Sequence, residues 1–83
     1  APPFNPQTEI RFTLPAGGEV KLTVFDVRGR AVRTLVSGTL AAGPHAVAWN
    51  GRSDAGRAQP SGVYLALLEA GPVRLTQRLT LVQ

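Results

Sequence analysis

The sequence predicts an all-β domain, a small antiparallel sandwich of about seven strands. Two observations carry that expectation. Apolar residues recur at every second position in several stretches, the period of a half-buried strand. Glycine and proline punctuate the chain between those stretches, where it must turn. No window sustains helical spacing, and regular short strands with turns between them favour a sandwich.

Each element follows from its residues. Ala1 to Gln7, "APPFNPQ", carries three prolines and reads as an extended leader or linker, with the domain proper over residues 8–83. Ile10, Phe12 and Leu14 alternate with Glu9, Arg11 and Thr13 in a first strand, ended by Pro15 and Gly17-Gly18. Val20, Leu22 and Val24 form the inner face of a second, which leaves Phe25 out of phase as the best candidate for a partly exposed aromatic. Arg28-Gly29 makes a turn, and a third strand runs from Ala31 to Val36, with a short further strand expected near Thr39-Leu40. His45, Val47 and Trp49 share one face of the next strand. After a polar loop, Val63 to Ala70 is apolar on both faces, as a central strand covered on both sides would be. Gly71-Pro72 turns the chain into a last strand, where Val73, Leu75, Leu79 and Leu81 alternate with Arg74, Thr76, Arg78 and Thr80.

Composition narrows the function classes. At 83 residues the chain is one small domain, and folding buries roughly 60–65% of the unfolded surface, so every core strand matters. The absence of cysteine removes disulfides, thiolate metal sites and cysteine nucleophiles together. Nine Lys and Arg against five Asp and Glu leave a formal charge of +4. That excess forms no run and is not interleaved with aromatics, so it reads as a soluble basic surface rather than a nucleic-acid footprint. The longest apolar run, Val63 to Leu68, is far too short to span a bilayer, and no cleavable signal pattern opens the chain.

Catalysis needs paired groups with tuned acidities, and this sequence offers one histidine and scattered acids. His45, in phase with Val47 and Trp49, reads as a core-edge residue rather than a general base. Asn50, Ser53 and Asp54 could supply oxygens to a cation. Their spacing lacks the acidic density of a calcium loop, and Asn-Gly and Asp-Ala-Gly are turn formers. Neither cofactor nor metal is expected. Trp49 and Tyr64 read as core packing, with the indole N–H needing an acceptor, although an exposed Trp49 would suit sugar stacking. The stripe Arg74, Thr76, Arg78 and Thr80 is a candidate docking surface, or else an edge guarded by charge.

The segments "PFNPQTEIRFTLP", "VKLTVFDVRGRAVRTL", "GTLAAGPHAVAWNGRSDAGR" and "SGVYLALLEAG" together resemble a known family over nearly the whole chain. Their order and spacing look like the Ig-like type A sorting domain at the C-terminus of type IX secretion cargo. They also resemble the related Ig-like domain of flagellar hook-capping proteins, with its Trp-(Asp/Asn)-Gly and Gly-x-Tyr core, here Trp49, Gly51, Gly62 and Tyr64. The resemblance implies an Ig-like or fibronectin-like sandwich without catalysis. A sorting domain would be recognised by the outer-membrane secretion machinery, processed by a sortase-like enzyme, and leave its fused passenger outside the cell or on its surface. A hook-cap-like module would instead be structural, assembling with copies of itself or with neighbours; a carbohydrate-binding module is a third class. Two departures from the sorting pattern stand out: Pro2 precedes Pro3-Phe4-Asn5-Pro6 where Asn is usual, and Arg78 is the last charge.

Overall fold

A computed structural model describes residues 8–82. Six strands follow one another: β1 (Thr8–Leu14), β2 (Gly18–Phe25), β3 (Ala31–Leu40), β4 (Gly43–Trp49), β5 (Gly62–Ala70) and β6 (Val73–Leu81). They form two antiparallel sheets, β1-β4 and β3-β2-β5-β6, in that order of neighbours. The all-β sandwich expected from the alternation is therefore the fold. The leader assigned to residues 1–7 lies outside the described residues, as does Gln83.

The two layers enclose one core. Ile10, Leu14 and Trp49 come from the two-stranded sheet; Val20, Leu22, Val24, Tyr64, Ala66, Leu68, Leu79 and Leu81 come from the four-stranded one. The β1, β2 and β6 members fall on the inward phase that the sequence pattern assigns, as do Trp49 and Tyr64; in β5, which reads as apolar on both faces, the structure selects the phase of Tyr64, Ala66 and Leu68. Burying a Leu or Val side chain contributes about 1.5–3 kcal/mol, and in so small a domain few residues carry that term. Phe12, Leu35, Val36 and Val47 pack against the rim of this core.

Three expectations need correction. No separate strand forms near Thr39-Leu40, because β3 runs on to Leu40 and pairs with β2 along its length, Gly18 opposite Leu40 and Val20 opposite Gly38. The β2–β3 ladder carries irregularities at Leu22/Thr23 and Val24/Phe25, so the strand bends and twists instead of breaking. β5 is central in its sheet but covered on one face only, since Val63 and Leu65 are 39% and 37% exposed. Its apolar outer positions are an uncovered strip. Finally, β6 alternates as expected, yet only Leu79 and Leu81 are buried; Val73 and Leu75, on the same phase, are 43% and 53% exposed. The facing layer is two strands wide and does not reach them.

Candidate functional site

The long polar bend between β4 and β5 is built around two rings. Trp49 is fully buried, and its ring meets that of Tyr64 edge-on, with centroids 5.0 Å apart and planes at 69°. Such pairs contribute about 0.5–1.5 kcal/mol beyond the area they bury. Both polar tips find main-chain acceptors in the bend itself. Trp49 Nε1 donates to the Arg52 carbonyl at 2.9 Å, and the Tyr64 hydroxyl donates to the Pro60 carbonyl at 2.6 Å. Gly51, buried two residues after Trp49, has φ 78°, a conformation that favours glycine. Gly62 opens β5 two residues before Tyr64.

The side-chain oxygens of the bend bind backbone. Asn50 Oδ1 accepts from Arg52 N at 3.1 Å, and Ser53 Oγ accepts from Arg57 N at 3.3 Å. Asp54 Oδ1 accepts from Thr34 N at 3.2 Å, while Asp54 N donates to the Val32 carbonyl at 3.0 Å. Arg33 Nη1 adds a bond to the Ser53 carbonyl at 3.4 Å, so the bend is laced to β3. Among the described residues no group of three His, Cys, Asp or Glu could hold a metal ion. The arrangement is that of a fixed connection, and it agrees with the turn reading of Asn50 and Asp54.

Three further titratable groups, Asp26, Tyr64 and His45, are also engaged with the main chain. Asp26 closes the β2–β3 turn: its Oδ1 accepts from Arg30 N at 3.0 Å and from Arg28 N at 2.9 Å, and Gly29 takes φ 83°. The amide of Arg30 is the main reason the Asp26 carboxyl lies below its ordinary value, against a smaller opposing effect of desolvation. Burial holds the Tyr64 hydroxyl above its ordinary value, with the charge of Asp26 adding to it. His45 stacks on Phe12, with centroids 5.4 Å apart, and its Nε2 lies 2.7 Å from the Ala41 carbonyl. It is the core-edge residue that its phase suggests.

The surface that remains is the outer face of the four-stranded sheet. The register sets Leu65 between Phe25 and Arg78, Leu67 between Thr23 and Thr76, Val63 opposite Thr80, and Glu69 between Lys21 and Arg74. An apolar strip on β5 thus runs beside the hydroxyl and guanidinium groups of β6. All four stripe residues, Arg74, Thr76, Arg78 and Thr80, are exposed on this one face, and Phe25 is half-buried there. Arg74 pairs with Glu69 at 3.4 Å, an exposed contact of about 0–1 kcal/mol. The stripe and the Trp49–Tyr64 pair occupy different sides of the sheet, and the structure does not bring them together. Val63, Leu65 and Leu67 are the residues that reading the sequence missed. Their signal was present as the second apolar phase of β5, which reads equally as a covered strand.

Comparison with known proteins now bears on this arrangement. Residues 4–71 match the family described as the FlgD Ig-like domain. The chain belongs to the FlgD Ig-like domain family. Over 46 residues it is 44% identical to the basal-body rod modification protein FlgD of Salmonella typhimurium and, equally, to that of Salmonella typhi. Those segments cover 55% of this chain and 20% of each relative, so the match spans about a fifth of the relatives' length. The crystal structure of FlgD from P. aeruginosa superposes with a TM-score of 0.66 at 24% identity, covering 90% of this chain and 59% of that one. That likeness establishes the fold. Of the two resemblances read from the sequence, these matches fall on the hook-capping one, and none supports the sorting one.

Proposed function

We propose that this domain is a non-catalytic structural module of the flagellar hook-capping type, joined to a larger protein and working by surface contact within an assembly outside the cytoplasm. The observation that carries the reading is the family match over residues 4–71, which spans β1 to β5. The chemistry is consistent with it. The histidine and the oxygens of the polar bend are committed to main-chain partners, whereas the outer face of the four-stranded sheet presents apolar side chains with flanking charge. A patch of that kind is a protein-docking surface. Docking in this reading runs through Phe25, Val63 and Leu65, with Arg74, Thr76, Arg78 and Thr80 setting orientation along β6.

Two measurements test the proposal. The parent protein should co-purify with flagellar hook and basal-body preparations, and lose that association when residues 8–82 are deleted. A reporter fused to the domain should stay inside a host that has type IX secretion. Export of the fused passenger, dependent on the outer-membrane secretion machinery and followed by sortase-like processing, would overturn the structural reading in favour of sorting.

A further inference from the structure

Thr8 enters the fold beside the last strand: its Oγ1 donates to the Thr80 carbonyl at 3.4 Å, and it stands opposite Trp49. At that end of the molecule three apolar side chains are uncovered. Val27, in the β2–β3 turn, is 73% exposed, and Val82, next after the Leu81–Gly62 pair, is 61% exposed. Val63, opposite Thr80, is the third. Carried two residues past Phe25 and Leu65, the β2–β5 register sets Val27 level with Val63. A cleft of about 370 Å³ lies here, with Val27, Pro60 and Val63 as its apolar wall and Asp26, Arg28 and Tyr64 as its polar one.

Asp26 and Tyr64 already have partners within this wall. Asp26 accepts from the Arg28 and Arg30 amides, and the Tyr64 hydroxyl donates to the Pro60 carbonyl. What the cleft offers is apolar surface, so its occupant needs apolar side chains, no charge and few main-chain donors. Residues 1–7, "APPFNPQ", meet that description: no charged side chain, three prolines without an N–H, and one large ring, Phe4.

We propose that this leader folds across the end of the sandwich, passing Val82 and seating Phe4 in the cleft against Val27, Pro60 and Val63. Reach permits it. Four residues separate Phe4 from Thr8, a span of up to about 14 Å. Thr80 adjoins Thr8, and Val63 lies one strand spacing further, about 5 Å. The apolar hollow between Leu14 and Val73 is at the far end of β1, about 20 Å away and out of range. Tethering selects the leader over a free partner or a second copy, because a segment joined so closely acts at a roughly millimolar effective concentration. Phe4 beside Val63 would prolong the apolar strip of β5 with a ring of its own. In a longer protein the seated leader fixes the angle at which the sandwich is carried, so the joint is stiff instead of a swivel. The inference holds whichever assembly the module serves.

NMR of the 83-residue chain with labelled valine and leucine methyls tests it. The Phe4 ring should show contacts to the methyls of Val27 and Val63, unchanged on dilution. Chymotrypsin gives a second readout, because cleavage after Phe4 tracks the fraction of leader that is unseated. Val27→Glu, an exposed change that leaves the fold intact, should speed that cut by about ten-fold, whereas Leu75→Glu should not alter it. Four results would each overturn the proposal: no Phe4 contact to either valine, Phe4 contacts to Leu14 or Val73 instead, Phe4 contacts found only between differently labelled copies, or equal cleavage of the wild type and Val27→Glu.

Discussion

Trp49 and Tyr64 stand edge to face at 5.0 Å, and each anchors the same bend from a different strand, one through the Arg52 carbonyl and the other through that of Pro60. The pair therefore holds β4 to β5 across the two sheets and shapes the chain between them.

Shortening either ring should test this directly. Trp49→Ala should destabilise the domain by about 3–5 kcal/mol, the cost of truncating a large buried aromatic. Tyr64→Phe keeps the ring and removes one hydrogen bond, so about 0.5–1.5 kcal/mol should be lost. Urea unfolding of the two variants, with unchanged slopes, measures both.

The pH response should have two ends. The Asp26 carboxyl is held below its ordinary value of 3.8 chiefly by the Arg30 amide, so its contribution is present above that value and lost as pH falls through the lower folded value. The Tyr64 hydroxyl is held above its ordinary value of 10.0 by burial, so the folded state keeps a proton that the unfolded chain releases. Its contribution is complete below 10.0 and is lost as pH rises through the folded value. Thermal melts against pH should show the acid limb flattened in Asp26→Asn and the alkaline limb flattened in Tyr64→Phe.

Calcium should leave the melting temperature unchanged, as should a chelator. Oδ1 of Asn50 and of Asp54 already accepts a backbone amide, at 3.1 and 3.2 Å, and a cation would have to displace those bonds. A calcium-dependent rise in melting temperature would show that the bend is a site and not a connection.

Substitutions on the outer face should separate contact from stability. Arg78→Glu and Leu65→Ser alter exposed positions, and each should shift folding stability by no more than about 0.5 kcal/mol. Both should reduce co-purification of the parent protein with its assembly. Equal co-purification of the wild type and both variants would move the docking surface elsewhere.

Much of this molecule can be read from its residues because period-2 alternation is a strong local signal wherever one face is buried. Ile10 and Leu14, Val20, Leu22 and Val24, and Leu79 with Leu81 fall where that pattern puts them, whereas Thr23, on the outward phase beside the irregularity at Leu22/Thr23, is buried. The polar bend is legible for a related reason: Asn and Asp next to glycine make their own local bonds whatever surrounds them. Width is what alternation cannot convey. Nothing in Val73 or Leu75 tells how many strands lie across from them, and nothing in Leu65 tells whether a layer lies above. Both depend on which strands share a sheet, and that is decided by pairings between residues far apart in the chain. The extension of β3 was hidden by Gly38, which reads as a break but here pairs with Val20.

The β2–β5 ladder has one more consequence. It joins Val20 through Phe25 to Ala70 through Leu65, and it is the strand pairing that links the segment before the polar bend to the segment after it. A cut between Asp54 and Ala55 would sever no strand and would divide the molecule into a four-stranded piece and a hairpin. Co-expressed, the two halves should recombine through that seam, making the domain a natural split reporter whose reconstitution measures the strength of its central joint.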